Sequence, residues 1–145
     1  MYTYKYPRAA LTTDAIVFAK EEGSTFVLLI ERGHEPFKNK WALPGGFIEM
    51  EETLEQACIR ELEEETGLKV GQMAQFKTYD AIDRDPRHRT ISVVHSVELK
   101  ERQPVKGNDD AACAAWFPID NLPELGFDHR QILKEFFSKH TRKDL

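Results

Sequence analysis

Gly46-Phe47-Ile48-Glu49-Met50-Glu51-Glu52-Thr53-Leu54-Glu55-Gln56-Ala57-Cys58-Ile59-Arg60-Glu61-Leu62-Glu63-Glu64-Glu65-Thr66-Gly67-Leu68 is the stretch on which the reading of this chain turns. It holds eight glutamates and a single base, Arg60, so it alone carries −7. The rest of the chain has 19 bases and 17 acids and sums to +2, so the formal net charge of −5 is one concentrated feature. Thr53 to Thr66 has helical periodicity, with Gly67 placed as the C-terminal glycine that stops it. With Leu54 set at zero, Cys58 falls at about 40°, Glu61 at about 340° and Glu65 at about 20° around the helix. Two carboxylates therefore share the side that carries Leu54 and Cys58. Glu64 flanks that side, and Glu63 points the opposite way.

Ionised carboxylates four residues apart repel, and turning them toward an apolar side adds a desolvation cost unless something positive compensates. The helix contains no lysine, and Arg60 lies at the edge of the pair, where its angular position lets it support Glu64 more readily than the middle of the cluster. A hard divalent cation that takes oxygen ligands and keeps positions open for phosphate is the natural occupant.

Outward from the helix, 145 residues with 41% hydrophobic content fit one domain, residues 1–145, with a sizeable core. The apolar runs are about five residues long, far below the roughly 20 of a membrane helix, and the start Met1-Tyr2-Thr3-Tyr4-Lys5-Tyr6 has no signal-peptide core. A cytoplasmic protein with no membrane partner is the expectation. Cys58 and Cys113 are read as reduced thiols. The acidic balance leaves no footprint for nucleic acid. Strands are expected over Leu11 to Phe18 and Thr25 to Ile30, joined by a hairpin, and near Ala74 to Tyr79, Thr90 to Leu99 and Ala112 to Phe117. Pro44-Gly45-Gly46 reads as a turn. A last helix starts at Asp128 as its cap and carries Ile132, Leu133, Phe136 and Phe137 on one side. This order predicts an α/β (α+β) layer fold, with a mixed sheet covered by helices.

Gly46, five residues, Glu52, seven residues, then Arg60-Glu61-Leu62-Glu63-Glu64-Glu65-Thr66-Gly67-Leu68 resembles the Nudix box at every fixed position, and Trp41-Ala42-Leu43-Pro44-Gly45 is similar to the family's approach to it. The resemblance implies an α/β/α sandwich and cleavage of a nucleoside diphosphate linked to another group, using Mg2+ or Mn2+ and an attacking water. It implies Glu61 and Glu65 as the main metal ligands, Glu64 as a third ligand or the base that orients water, and the Gly46 carbonyl as a further ligand. Glu52 and Arg60 would be the pair that holds the loop against the helix; Glu49 is a candidate extension of the metal cluster, while Glu51 and Glu55 are solvated charges.

The run Asp80 to Val94, with Asp83-Arg84-Asp85-Pro86-Arg87, resembles the ADP-ribose pyrophosphatase branch, as does Gly107-Asn108-Asp109-Asp110-Ala111-Ala112 before Trp116-Phe117. The substrate implied is ADP-ribose, a small-molecule nucleoside diphosphate, with Asp109 and Asp110 as candidate general bases and Glu98 behind them. Resemblance to that branch also implies a homodimer. Arg32 and Arg87 or Arg89 are candidates to clamp the diphosphate, and Phe37, Trp41 and Tyr79 to stack the adenine. His88 and His95 are assigned surface or packing roles. The alternatives are cleavage of oxidised nucleoside triphosphates, dinucleoside polyphosphates or nucleotide sugars, and, from another class, a non-catalytic nucleotide-sensing module. About 28 residues follow Phe117, which is short for an added winged-helix DNA reader.

Overall fold

A computed structural model describes residues 3–106 and 113–143. β1 (Ala10–Glu21) and β2 (Ser24–Glu31) form a hairpin through Glu22 and Gly23, both at positive φ, as a tight two-residue turn with primed geometry requires. They pair only near the turn, from Phe18↔Val27 to Glu21↔Ser24. Beyond that the two strands part, and residues 41–47 fill the gap. β3 (Trp41–Ala42) runs antiparallel to the far end of β2, and β4 (Gly45–Phe47) runs antiparallel to Thr12–Asp14 of β1. This segment, read from the sequence as a turn only, is thus a wedge driven into a split sheet.

The remaining strands flank the split. β6 (Thr90–Leu99) runs parallel to β1 along its whole length, from Ala10↔Thr90 to Ala19↔Leu99, and β5 (Ala74–Tyr79) lies antiparallel outside it. β7 (Cys113–Pro118) pairs antiparallel with the outer edge of β2. The expected mixed sheet and its strand positions are observed.

α1 (Leu54–Thr66) and α2 (His129–Lys143) cover opposite faces. Side chains alternate across a strand, so Ala15 and Val17 of β1 meet Cys58 and Leu62 of α1, while Ile16 and Phe18 meet Ile132, Leu133 and Phe136 of α2. A strand buried on both faces needs an unbroken apolar run, and Ala15 to Ala19 is one. Each fully buried leucine or isoleucine side chain contributes roughly 1.5–3 kcal/mol, so Leu62 and Ile132 anchor the two helices. Thr53 caps α1 in a capping box with Gln56, and Gly67 stops it in the left-handed conformation. Asp128 departs from expectation. Its carboxylate accepts two hydrogen bonds from Arg84, at 2.7 and 2.9 Å, while its backbone carbonyl accepts the Ile132 N–H as the first bond of the helix. No helix among the described residues is long and apolar enough to cross a membrane.

Candidate active site

The split in the sheet opens a cavity of about 360 Å³ walled by the parted strands β1 and β2, the wedge, α1 and the loop before β6. The wedge locks onto α1 through its two glycines. Gly45 N–H donates to Glu65 Oε1 at 2.8 Å, and Gly46 lies flat against the Glu61 carboxyl group. A Cβ on Gly46 would sit 2.6–2.8 Å from the three carboxyl atoms of Glu61, so glycine is required there by close approach. Both glutamates line the cavity. Burial pushes the Glu65 carboxyl up to about 8, helped by the neighbouring charges of Glu61 and Asp14 and opposed by the Gly45 N–H and Arg32. Burial also raises Glu61, against the pull of Arg60.

Arg60 holds the ensemble together. Its Nε and Nη2 donate to Glu52 at 3.0 and 2.6 Å, its Nη1 donates to Glu61 at 2.9 Å, and its Nη2 reaches the Phe47 carbonyl at 3.3 Å. Glu52 in turn accepts the Glu49 N–H at 2.8 Å and, gripped by Arg60, is held below the usual carboxylate range. The angular reading placed Arg60 at the edge of the pair, yet its guanidinium bonds Glu61 directly. A long side chain carries its charge well away from the direction of its Cα.

Cations line the same cavity as these acids. Arg32, at the end of β2, is half-buried; its Nε donates to the Pro36 carbonyl at 2.7 Å and its guanidinium lies 5.0 Å from the Phe127 ring. Burial and the nearby Arg87 hold its pKa below the ordinary arginine value. Arg87 is clamped by Asp85 through bonds of 3.1 and 2.8 Å and lies 5.6 Å from the Phe47 ring. Asp85 itself loses solvation by burial, but the Arg87 bonds outweigh this and keep it below its ordinary value. Both arginines line the cavity, as anticipated.

Other anticipated residues lie elsewhere. Glu64, its side chain 55% exposed, sits 3.4 Å from Arg60 on the outer surface of α1 and does not line the cavity. Phe37 packs edge-on against Phe127, with ring centroids 4.7 Å apart, and Trp41 packs on Phe117 at 4.8 Å; both serve packing. Tyr79 donates to Glu135 at 2.6 Å, and Arg89 donates to the carbonyls of Asp80 and Ala81, so neither reaches the cavity. Glu98 is exposed on β6, six residues beyond Ser92 and so about 20 Å along the strand from the split. Asp109 and Asp110 lie outside the described residues. Among the described residues, no three acidic, histidine or cysteine side chains form a ready-made metal cage.

Cavity residues left without a role of their own by the sequence include Asp14, Arg84, Phe127 and His129. Asp14 carried a signal, a carboxylate directly ahead of the apolar run Ala15 to Ala19. It is buried, its Oδ2 accepts Ser92 Oγ–H at 2.5 Å, and Arg84 Nη2 lies 4.0 Å away. His129 opens α2, and its Nδ1 accepts the Leu43 N–H at 2.9 Å. Local pattern gives no hint of that bond, because it joins residues 86 apart.

A family model described as a NUDIX domain matches residues 9–136. The chain is 41% identical over 131 residues to the ADP-ribose pyrophosphatase of Methanocaldococcus jannaschii, covering 90% of this chain and 75% of that protein. It is 29% identical to the ADPR responsive transcriptional repressor NtrR of Acinetobacter baylyi, of which it spans 57%. Among solved structures, the NUDIX domain of Shewanella oneidensis NrtR complexed with ADP ribose superposes with a TM-score of 0.87 at 29% identity, covering 95% of this chain and 93% of that one. A MutT/nudix family protein from Enterococcus faecalis gives 0.88 at 28% identity, covering 98% of this chain and 66% of that one.

Proposed function

The chain belongs to the Nudix family of pyrophosphate-cleaving hydrolases, and from that premise we propose that the cavity at the sheet split cleaves ADP-ribose to AMP and ribose 5-phosphate. The observation that carries the reading is that the half-buried pair Glu61 and Glu65 and the two arginines Arg32 and Arg87 line one cavity. A diphosphate needs both. Arg32 and Arg87 neutralise its non-bridging oxygens by hydrogen bonds, and the arginine fork suits that geometry. The 41% identity to an ADP-ribose pyrophosphatase supports the choice of substrate.

The acidic side fits a small hard cation, Mg2+ or Mn2+. Two carboxylates whose burial favours protonation, with a glycine backbone packed against one of them, leave a negative pocket that a divalent ion would relieve. Glu61, Glu65 and the Gly46 carbonyl would hold it. When bound, such an ion polarises phosphoryl oxygens and lowers the pKa of water. Arg60 and Glu52 keep Glu61 oriented. In the reaction, water oxygen bonds to one phosphorus, the bridging P–O bond breaks, and the bridging oxygen leaves on the other phosphate. Asp109 and Asp110, which lie outside the described residues, are the assigned acceptors for the water proton, since Glu64 does not line the cavity.

The test is a panel of ADP-ribose, nucleoside triphosphates, dinucleoside polyphosphates and nucleotide sugars with Mg2+ or Mn2+, scored by product identity. AMP with ribose 5-phosphate as the preferred outcome supports the proposal, and pyrophosphate released from triphosphates with ADP-ribose untouched refutes it. A sensing role, which the likeness to NtrR favours, would appear as tight ADP-ribose binding by calorimetry with no product.

A further inference from the structure

His129 and Asp14 meet in the cavity although no step above uses them. The Leu43 N–H is a buried donor with no strand beside it to accept, and His129 Nδ1 is its acceptor at 2.9 Å. An N–H can only donate, so Nδ1 must be unprotonated and the neutral ring carries its proton on Nε2. Burial, with the charges of Arg84 and Arg32, disfavours the doubly protonated ring. Nε2–H thus faces Asp14 Oδ2 at 3.7 Å, beyond hydrogen-bond reach, while that oxygen already accepts the Ser92 hydroxyl. A fixed donor and a fixed acceptor stand side by side, 3.7 Å apart, and both line the cavity, where one atom beside them can meet the two.

An oxygen about 2.8 Å from each closes a triangle on the 3.7 Å separation. It must accept from the imidazole and donate to the carboxylate. A hydroxyl does both at one atom. A phosphate oxygen has no proton to give and is repelled by Asp14, and a base nitrogen that accepts cannot also donate. We propose that His129 and Asp14 are a recognition pair for one ribose hydroxyl of the substrate, in the cavity that Arg32 and Arg87 also line. The inference rests on the ADP-ribose reading and deepens it, since it makes the site selective for a sugar with that hydroxyl intact.

The experiment compares kcat/KM for ADP-ribose with that for analogues in which each ribose hydroxyl in turn is replaced by hydrogen. The wild type is expected to lose about 10- to 100-fold on one analogue, the worth of a hydrogen bond to a charged group. His129→Asn keeps an acceptor for Leu43 N–H in its Oδ1 and drops the Nε2 donor; Asp14→Asn is the second probe, and thermal melting reports folding of both. In each, discrimination against that analogue should shrink to less than about threefold, even though overall rates fall. A structural role alone would slow all substrates alike and leave the wild-type ratio unchanged. That result, or a wild type that cleaves every deoxy analogue as fast as ADP-ribose, overturns the pair as a recognition device while the pyrophosphatase reading stands. Failure of the wild type to cleave ADP-ribose at all overturns the reading beneath it.

Discussion

Adding one methyl group to either glycine of the wedge should separate the catalytic from the architectural demand on this segment. At Gly46 the new Cβ would meet Glu61 carboxyl atoms from 2.6 Å, whereas ordinary contact starts at 3.4 Å, so something must move by about 0.8 Å. The obstacle is the end of a side chain, and it can retreat. Retreat, however, takes Glu61 off its 2.9 Å bond with Arg60 and away from the Gly46 backbone. Displacement of that size at a reacting centre costs about 100-fold in rate. At Gly45 the same methyl would meet the Thr13 carbonyl at 2.1 Å and the Asp14 Cα at 2.9 Å, both main-chain atoms of the β1–β4 pair. Backbone cannot retreat cheaply, and overpacking of this kind costs typically 1–3 kcal/mol or more. Gly46→Ala should therefore melt within a few degrees of the wild type and lose about two orders of magnitude in kcat, while Gly45→Ala should lose stability first. Circular-dichroism melts and steady-state kinetics on ADP-ribose decide it. A Gly46→Ala enzyme with wild-type kcat would refute the claim that Glu61 acts from its present position.

Two shorter expectations follow from the same geometry. Glu65→Gln keeps an oxygen to accept the Gly45 N–H, so the fold should persist while turnover drops roughly 100- to 1,000-fold, the scale of a lost charge-stabilising group; near-wild-type turnover at saturating magnesium would remove Glu65 from the site. His129 has a folded pKa depressed below its ordinary 6.5, chiefly by burial. Such a group binds fewer protons in the folded state, so its stabilising contribution is present above about pH 6.5 and is lost as pH falls through that value toward the folded pKa. The raised Glu65 and Glu61 carboxyls add stability over the same range as pH falls, so His129 is read from a difference: the melting temperature of the wild type minus that of His129→Asn should fall from pH 7 to pH 5, and a constant difference would mean that His129 is not titrating there.

How much was legible in the sequence depended on whether a signal was local. Glu61 and Glu65 could be placed on one helix face because the 3.6-residue period is a property of fourteen consecutive residues, and the structure puts both in the cavity. Arg32 was found from its place at the end of β2. The aromatic candidates Phe37 and Trp41 were less legible for the opposite reason: composition says that a ring is present, but only packing says which ring it meets, and theirs meet Phe127 and Phe117. Asp14, Arg84 and His129 come together because β1 and β2 stop pairing after four residue pairs and the wedge enters between them. That parting depends on register between strands, and no window along the chain contains it. Even so, Asp14 offers a local trace that went unread, a carboxylate directly ahead of the apolar run Ala15 to Ala19, where burial costs several kcal/mol unless partners wait for it. Ser92 is such a partner, 78 residues away. A buried carboxylate at the head of an apolar run is thus the trace that a non-local site leaves in a local pattern, and here it stands beside Gly45, whose N–H bonds Glu65 of the acidic helix.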